Sequence, residues 1–382
     1  MSTAADAPVA ILGAGPAGLA CALMLARHGR ASVVLDAQEP GRAHADRRLL
    51  ALGRGSWQII GPLLPRTPDR APITDVYVSS EGEFGTTHIG AKDFGGEPLG
   101  ATVFYGDLVA ALEQAVAAST LVAQQRPRKV TDVQQLPAQV RVRCDDGSAL
   151  EAALAINAEG FAGLRDERDG VREDAPVALV GDIGIEGVAP GAAFERFTRE
   201  GPLALLPRPN GQGLRSLVWC MPADVAQQRL REQPDDLRLQ LQHAIGRRIG
   251  TVVSLGTLHA HRLHERVRAD VQAHRCVAVG NAAQTLHPVA GQGFNLALRD
   301  CASLVDCLVL GRGDVGTALA EYARRRRTDR TAIAAVTHWL PQVFATRFAP
   351  VALARSLGLT ALDLIPPLRT ELAHLLMFGV RR

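Results

Sequence analysis

Residues 9–36 read VAILGAGPAGLACALMLARHGRASVVLD, and this stretch decides the fold of the chain. The apolar run Val9 to Leu12 predicts a buried parallel strand. After a glycine-rich turn, apolar residues recur at helical spacing as far as Gly29, which predicts a helix that ends there. Ser32 to Asp36 predicts a second strand. Strand, turn, helix and strand in this order predict an α/β protein with a doubly wound, Rossmann-like parallel sheet.

The turn in this stretch carries a phosphate-binding pattern. Gly13, Gly15 and Gly18 fit G-x-G-x-x-G, with Ala17 between the last two glycines. The first glycine permits a tight turn, the second lets a pyrophosphate approach the backbone, and the third lets helix and strand pack closely. Asp36, 18 residues after Gly18, lies where an acid would bind ribose hydroxyls. The motif predicts a bound dinucleotide without separating NAD from FAD, and the alternative is a glycine-rich turn without a ligand.

A second glycine-rich loop lies in residues 276–295, which read CVAVGNAAQTLHPVAGQGFN. Cys276 to Val279 predicts a strand, and a helix is expected from about Gly293 to Leu310. The helix start again offers unpaired N–H groups and positive potential. A plain NAD dehydrogenase has no need of a second such loop, whereas an extended cofactor with two polar ends does. The pair of loops therefore predicts FAD.

Composition and charge exclude several other classes of protein. The 382 residues carry 42 basic and 39 acidic side chains, and the net charge of +3 gives no electrostatic footprint for nucleic acid. Lys92 and Lys129 are the only lysines, and neither follows a phosphate-binding glycine run. The six cysteines lack zinc-ligand spacing and are expected to be reduced, as in a cytoplasmic protein. His259, His261 and His264 alternate as in a strand, so no metal site is expected.

The remaining pattern divides the chain into three parts. The proline-rich stretch Pro62 to Pro72 indicates a crossing between domains. We expect a discontinuous FAD-binding domain over residues 1–72, 100–175 and 270–330. A β-sheet substrate domain is expected over residues 73–99 and 176–269, and a helical C-terminal segment over residues 331–382.

Local patterns predict individual elements within these parts. Strands are expected at Lys129–Val133, Gln139–Cys144 and Ala149–Asn157, and helices at Asp107–Ala118 and Leu237–Ile249. After Tyr322 the chain is predicted to be helical to its end, with breaks at Pro341, Pro350 and Pro366-Pro367.

The second loop resembles the flavin-contacting motif of the single-component FAD aromatic hydroxylases. Within them it is most like the ubiquinone-biosynthesis hydroxylases, and above all the 2-polyprenyl-6-methoxyphenol hydroxylase branch, because Asn281 replaces the usual Asp. Further matches are Asp46-Arg47-Arg48, Gly201 to Pro207, Leu217 to Cys220 and Tyr322 to Arg330. The resemblance covers nearly the whole chain and implies a para-hydroxybenzoate-hydroxylase-like fold.

The resemblance also implies a role for residues of both loops. The three glycines of the first loop would hold the pyrophosphate, and Asp36 the adenosine ribose. Arg48 would contact the phosphate or ribityl region, although a surface salt bridge is the alternative. Asn281 would hydrogen-bond the ribityl or pyrophosphate region. Backbone N–H groups would bind the flavin pyrimidine edge from Gly291, Gln292, Gly293, Phe294 and Asn295.

Two positions depart from the family pattern. Relatives often carry Asp-Gly after the third meander strand, where this chain has Glu159-Gly160. The longer side chain weakens any role for that acid. Relatives also often place Arg or Gln just before the helix at Asp107, where this chain has Phe104 or Tyr105, so no cofactor contact is assigned there.

The activity implied by the resemblance is that of a monooxygenase. NAD(P)H would reduce FAD, O₂ would add to it, and a flavin hydroperoxide would hydroxylate the ring of a polyprenyl phenol in ubiquinone biosynthesis. The pocket wall is expected to include Pro288 and a leucine group that could instead be ordinary sheet core, namely Leu203, Leu205 and Leu206. His287 could assist phenol deprotonation or position peroxide, and the alternative is a structural histidine bonded to backbone.

The apolar residues of the C-terminal segment allow three readings. They could contact the inner face of a membrane peripherally, meet a partner in a ubiquinone-biosynthesis complex, or pack on the FAD domain. Three rival functions also stay open. These are an FAD hydroxylase of another small aromatic, an NAD-only dehydrogenase, and a non-catalytic lipid-binding member that has lost FAD.

Overall fold

The computed structural model describes residues 7–159, 175–211, 213–268, 270–286, 291–311, 313–345 and 349–379. Its strands, numbered in chain order, are β1 Val9–Leu12, β2 Ser32–Leu35, β3 Leu49–Gly53, β4 Arg70–Ile73, β5 Asp75–Ser80, β6 Thr86–Gly90, β7 Gly100–Phe104, β8 Val122–Gln125, β9 Val130–Gln135, β10 Val140–Cys144, β11 Ala149–Ala152, β12 Leu154–Asn157, β13 Val177–Glu186, β14 Ala192–Phe197, β15 Pro202–Pro207, β16 Leu214–Met221, β17 Thr251–Leu255, β18 His259–Arg262, β19 Arg266–Val267, β20 Cys276–Ala278 and β21 Gln284–Thr285.

The helices, numbered in the same way, are α1 Pro16–Arg27, α2 Arg54–Ile60, α3 Tyr105–Ala117, α4 Ala223–Arg229, α5 Pro234–Ile245, α6 Gln292–Leu310, α7 Val315–Ala345, α8 Ala349–Leu364 and α9 Pro366–Phe378. Short 3₁₀ turns lie at Gly61–Leu63, Ala91–Phe94 and Gly280–Ala282.

A parallel sheet organises the part of the fold that carries both glycine-rich loops. Its strand order is β20-β12-β1-β2-β8, with β1 at the centre. All four residues of β1 and of β2 are buried, as expected for strands covered on both faces. Helices α1 and α6 pack against each other over one hydrophobic core with this sheet. The predicted α/β class is confirmed.

A large mixed sheet forms the second main part of the fold. Its order is β17-β13-β16-β15-β14-β5-β6, and β18 pairs with β13 beside β17. Helix α5 contributes Leu241 and Ile245 to a separate core on one side of this sheet. The boundaries proposed for the two domains stay a prediction.

Two expectations about local structure were wrong. Ala149–Asn157 is two strands, because β11 pairs antiparallel with β10 whereas β12 pairs parallel with β1. The chain passes between the two sheets at Ala153, whose N–H donates to the Pro8 carbonyl at 3.0 Å. Helix α7 also continues through Pro341 to Ala345. A proline removes a single backbone donor, and here only about one further turn follows it.

The C-terminal helices pack on the large sheet and on helix α2. Helix α8 lies along β6, where Thr87 Oγ1 donates to the Leu359 carbonyl at 2.8 Å, and Arg355 pairs with Glu83 in the turn between β5 and β6. Helix α9 contacts α2, where a Cβ on Gly55 would lie 2.7 Å from the Met377 carbonyl oxygen. Within the described residues, no single helix is long and apolar enough to cross a membrane. The helix pair Val351–Leu364 and Pro366–Phe378, bent by 96°, is long and apolar enough only when its two helices are taken together.

Candidate cofactor and substrate site

The first glycine-rich turn is shaped by close backbone contacts. Gly13 has a φ of +105°, and a Cβ there would lie 2.8 Å from the Cα of Glu159. A Cβ on Gly18 would lie 2.0 Å from the Gly13 carbonyl oxygen, so helix α1 could not start so close to β1 with any larger residue. Gly15 differs, since a Cβ there would have one described atom from outside the turn within 4 Å, the Tyr105 hydroxyl at 3.7 Å. The turn therefore leaves open space at Gly15, the N-cap of α1.

Asp36 closes this turn from the end of β2. Its Oδ2 accepts the Ala14 N–H and its Oδ1 accepts the Gln38 N–H, both at 2.7 Å. Glu159 lies on the other side of the turn, and burial together with the nearby Asp36 charge raises the pKa of its carboxyl to about 7. The ribose contact of Asp36 stays a prediction. The structure nevertheless places two carboxyl groups at this end of the site.

The turn at Gly280, in the second glycine-rich loop, lies close to the first glycine-rich turn. Gly280 has a φ of +57°, and a Cβ there would lie 3.0 Å from the Ala297 Cβ and 3.6 Å from the Ala17 Cβ. The turn thus lies between the first residues of α1 and the body of α6. Asn281, the next residue, is exposed. Its side chain is accessible to a ligand, as its predicted cofactor contact requires.

The start of α6 is joined to β3 by the side chain of Asn295. Its Nδ2 donates to the carbonyls of Ala51 and Gly291, at 2.9 and 2.8 Å, and its Oδ1 accepts the Gly53 N–H at 2.8 Å. Asn295 is only 2% exposed, so these bonds are shielded from water. Its side chain therefore has a structural role that the sequence motif did not reveal.

The N-terminus of α6 itself is open. Gly291, the N-cap, has a φ of +59° and no side-chain cap, and a Cβ on Gly293 would meet no atom of the described residues within 4 Å. Gln292 is buried, and Phe294 packs against the core of the parallel sheet. The first-turn N–H groups of a helix have no intrahelical partners, so this opening offers hydrogen-bond donors and positive potential to a ligand.

Arg48 lies beside the first turn, held by two neighbours. Its Nε and Nη2 bond the Asp46 carboxylate at 2.6 to 3.0 Å, and its guanidinium carbon lies 4.7 Å from the centroid of the Tyr105 ring. The hydrogen bond to Asp46 is the main cause that raises the pKa of Arg48. The surface salt bridge considered as the alternative is present, and the guanidinium also covers the Tyr105 ring, whose hydroxyl lies near Gly15.

The large sheet corrects part of the predicted substrate pocket. Leu203 and Leu205 are fully buried and belong to the core beneath α5, because alternate residues of β15 point toward that helix. Leu206 points the other way and is partly exposed. On that face Ala204 pairs with Val218, and these residues are half-buried. The open face of β15 and β16 is therefore the candidate wall of the substrate pocket, and strand alternation could have separated it from the core.

This wall is joined to the flavin-binding loop by a short chain of contacts. Thr102 Oγ1 on β7 donates to the Pro207 carbonyl at the end of β15, at 2.6 Å. Strand β7 pairs with β3, which Asn295 joins to α6. Of the other predicted pocket residues, His287 and Pro288 lie outside the described residues.

A buried ionic network fixes α6 against α7. Asp300 is fully buried and accepts hydrogen bonds from Arg326 Nε and Gln284 Nε2, each at 2.7 Å. Arg326 also pairs with Asp329 at 2.7 Å. Because Gln284 follows the Gly280 turn, this network holds that turn against α6.

The combined geometry fits a dinucleotide that carries flavin. Two helices begin at glycine N-caps, each with space beside its first turn among the described residues, and the Gly280 turn lies close to Ala17 in the first turn of α1. Helix N-termini bind phosphate and stabilise negative charge. The first opening is therefore suited to a pyrophosphate, and the second to an anionic ring edge.

Comparisons with known proteins agree with this geometry. The family described as FAD binding domain matches residues 6–48 and 103–337. The ubiquinone hydroxylase UbiL of Rhodospirillum rubrum is 32% identical, over 95% of this chain and 87% of its own. The 3-demethoxyubiquinol 3-hydroxylase of Escherichia coli is 29% identical, over 93% of this chain and 94% of its own. The structure of PqsL, a probable FAD-dependent monooxygenase from Pseudomonas aeruginosa, has a similar fold, with a TM-score of 0.73, 21% identity and coverage of 90% and 99% of the two chains.

Proposed function

Because this chain belongs to the FAD binding domain family, we propose that it is an FAD-dependent monooxygenase that hydroxylates the aromatic ring of a polyprenyl phenol in ubiquinone biosynthesis. The observation that carries the proposal is that α1 and α6 both begin at glycine N-caps, Gly15 and Gly291, and that the Gly280 turn lies between these two helices. The full-length similarity to two ubiquinone-pathway hydroxylases supports the substrate class.

The residues of this chain would bind and orient the cofactor. The N–H groups beside Gly15 and the Arg48 cation are suited to the pyrophosphate, and Asn281 to the ribityl or pyrophosphate region. The N-terminus of α6, held by Asn295, would stabilise negative charge on the flavin pyrimidine edge. FAD, when bound, supplies the redox chemistry, taking electrons from NAD(P)H and activating O₂.

The substrate would lie against the open face of the large sheet. Ala204, Leu206 and Val218 present partly exposed apolar surface there, which suits an aromatic ring and keeps water away from the reacting atoms. Burial of a prenyl chain would add to the affinity, at about 0.8 kcal/mol for each buried methylene group.

Two experiments test the proposal. The absorbance spectrum of the purified protein should show flavin bands at roughly 370 and 450 nm. A protein without them would be an NAD-only dehydrogenase or a member that has lost FAD. Loss of the gene should then cause a prenylated quinone precursor, one hydroxyl group short, to accumulate in mass spectra. Accumulation of an unrelated aromatic would instead identify a hydroxylase of another small molecule.

We also propose that α8 and α9 bring the protein to the cytoplasmic face of a membrane, where prenylated substrates reside. The tail surface comprises five exposed side chains, 44 to 73% accessible, at Leu353, Leu357, Leu364, Ile365 and Leu368. The opposite side of α8 is fixed to the turn between β5 and β6 by the Arg355–Glu83 pair, which leaves the tail surface facing outward. An apolar helix face of this kind suits the interface of a bilayer.

Flotation with liposomes tests the membrane contact. The wild-type protein should float with the vesicles, and Leu353→Gln with Leu357→Gln should reduce the floated fraction. Leu239→Gln is the matched control, because Leu239 is 57% exposed on α5 and outside the tail surface. If wild-type protein stays at the bottom of the gradient, the tail surface is better explained by a protein partner in a ubiquinone-biosynthesis complex.

A further inference from the structure

Tyr105 lies at the opening of the first glycine turn, although no cofactor contact was expected from its sequence. Its hydroxyl lies 3.7 Å from the position that a Cβ on Gly15 would occupy. The side chain is partly buried, and its hydroxyl makes no hydrogen bond to any residue that the structure describes. A hydroxyl with no hydrogen-bond partner among the described residues therefore lies beside the space suited to a pyrophosphate.

The backbone around Tyr105 fixes this position. The Tyr105 N–H donates to the Arg48 carbonyl at 2.8 Å, and the Gly106 N–H donates to the Asp46 carbonyl at 2.9 Å. A Cβ on Gly106 would lie 2.3 Å from the His44 carbonyl oxygen, so the start of α3 packs tightly on this loop. The Arg48 guanidinium covers the ring, with its carbon 4.7 Å from the centroid.

We propose that the Tyr105 hydroxyl donates a hydrogen bond to the pyrophosphate of FAD, at the place where relatives often carry Arg or Gln. This inference rests on the FAD binding of the proposed function. Burial is the main cause that raises the pKa of Tyr105, so the phenol keeps its proton at neutral pH and remains a donor. The neighbouring Arg48 supplies the positive charge that a neutral tyrosine lacks.

The test is a titration of the flavin-free protein with FAD, followed by quenching of flavin fluorescence. Tyr105→Phe keeps the ring under Arg48 and removes only the hydroxyl, so the FAD dissociation constant should rise about tenfold, as for a hydrogen bond to a charged group. Tyr77→Phe is the matched control, because Tyr77 lies on β5 of the large sheet. The FAD dissociation constant of this control variant should stay within about twofold of the wild-type value.

Competition with nucleotides separates a pyrophosphate contact from a structural role. Tyr105→Phe should weaken ADP, which carries a pyrophosphate, by the same factor as FAD, and should leave adenosine unchanged. Tyr105→Gln restores a donor and should recover part of the affinity. An FAD dissociation constant unchanged in Tyr105→Phe, or an equal loss for adenosine, would overturn the inference. These are binding measurements, so a wild-type protein that binds FAD but lacks hydroxylase activity would refute the proposed function alone.

Discussion

Asn295→Ala should separate α6 from β3 and thereby destabilise the flavin end of the site. The side chain makes three hydrogen bonds, to Gly53 N–H and to the carbonyls of Ala51 and Gly291. Because Asn295 is 2% exposed, water cannot replace these bonds without opening the structure. The substitution removes both donors and the acceptor at once.

The expected loss follows from these contacts. Three hydrogen bonds at about 1 kcal/mol each give about 3 kcal/mol, and buried backbone groups left without partners raise the total to about 3–5 kcal/mol. Domain stabilities are about 5–15 kcal/mol, so the variant should fold but be markedly less stable. The Gly291 N-cap would also lose its fixed position, which should weaken FAD binding.

Urea unfolding of the flavin-free protein measures the stability, and fluorescence titration measures the FAD affinity. Asn281→Ala is the matched control, because Asn281 is exposed in the neighbouring turn. We expect its free energy of unfolding to change by less than about 0.5 kcal/mol. Its FAD dissociation constant should rise about tenfold, since the predicted role of this side chain is a cofactor contact.

Comparing the two variants tests whether Asn295 is structural and Asn281 binds the cofactor. If Asn295→Ala unfolds at the wild-type urea concentration, the three hydrogen bonds do not hold α6 to β3. If Asn281→Ala loses as much stability as Asn295→Ala, the division between a structural and a ligand-binding asparagine is wrong.

Two further predictions concern charged groups. The pKa of Glu159 is raised from 4.5 to about 7, so between these values the folded protein keeps a proton that the unfolded chain releases, and stability falls as pH rises through that window. Glu159→Gln should therefore change the free energy of unfolding by less than about 0.5 kcal/mol near pH 4, below the window, and raise it by about 1–2 kcal/mol near pH 8, allowing for solvent screening. An equal effect at both pH values would contradict the raised pKa. Asp300→Asn should cost about 3–5 kcal/mol in urea unfolding because it leaves Arg326 partly uncompensated, and a loss below about 1 kcal/mol would show that Asp329 suffices.

Local pattern predicted much of the fold because the decisive residues are close in sequence. The glycines of residues 13–18 and the apolar run of β1 were enough to predict the strand–turn–helix unit at the start of the parallel sheet. A tight turn and a buried strand each depend on only a few adjacent residues. The second loop, through its resemblance to the aromatic hydroxylases, named the cofactor. The failure at Ala149–Asn157 has the opposite cause, because β11 and β12 differ only in the distant strands with which they pair.

The sequence by itself determined the α/β class, the two glycine-rich turns and the family. Tertiary structure alone decided which side chains meet around them. Leu203 and Leu205 belong to the core, Asn295 joins α6 to β3, and Tyr105 lies near Gly15. The physical reason is that glycine turns and strand runs follow from local backbone sterics, whereas a side chain's partner depends on packing between segments far apart in the chain.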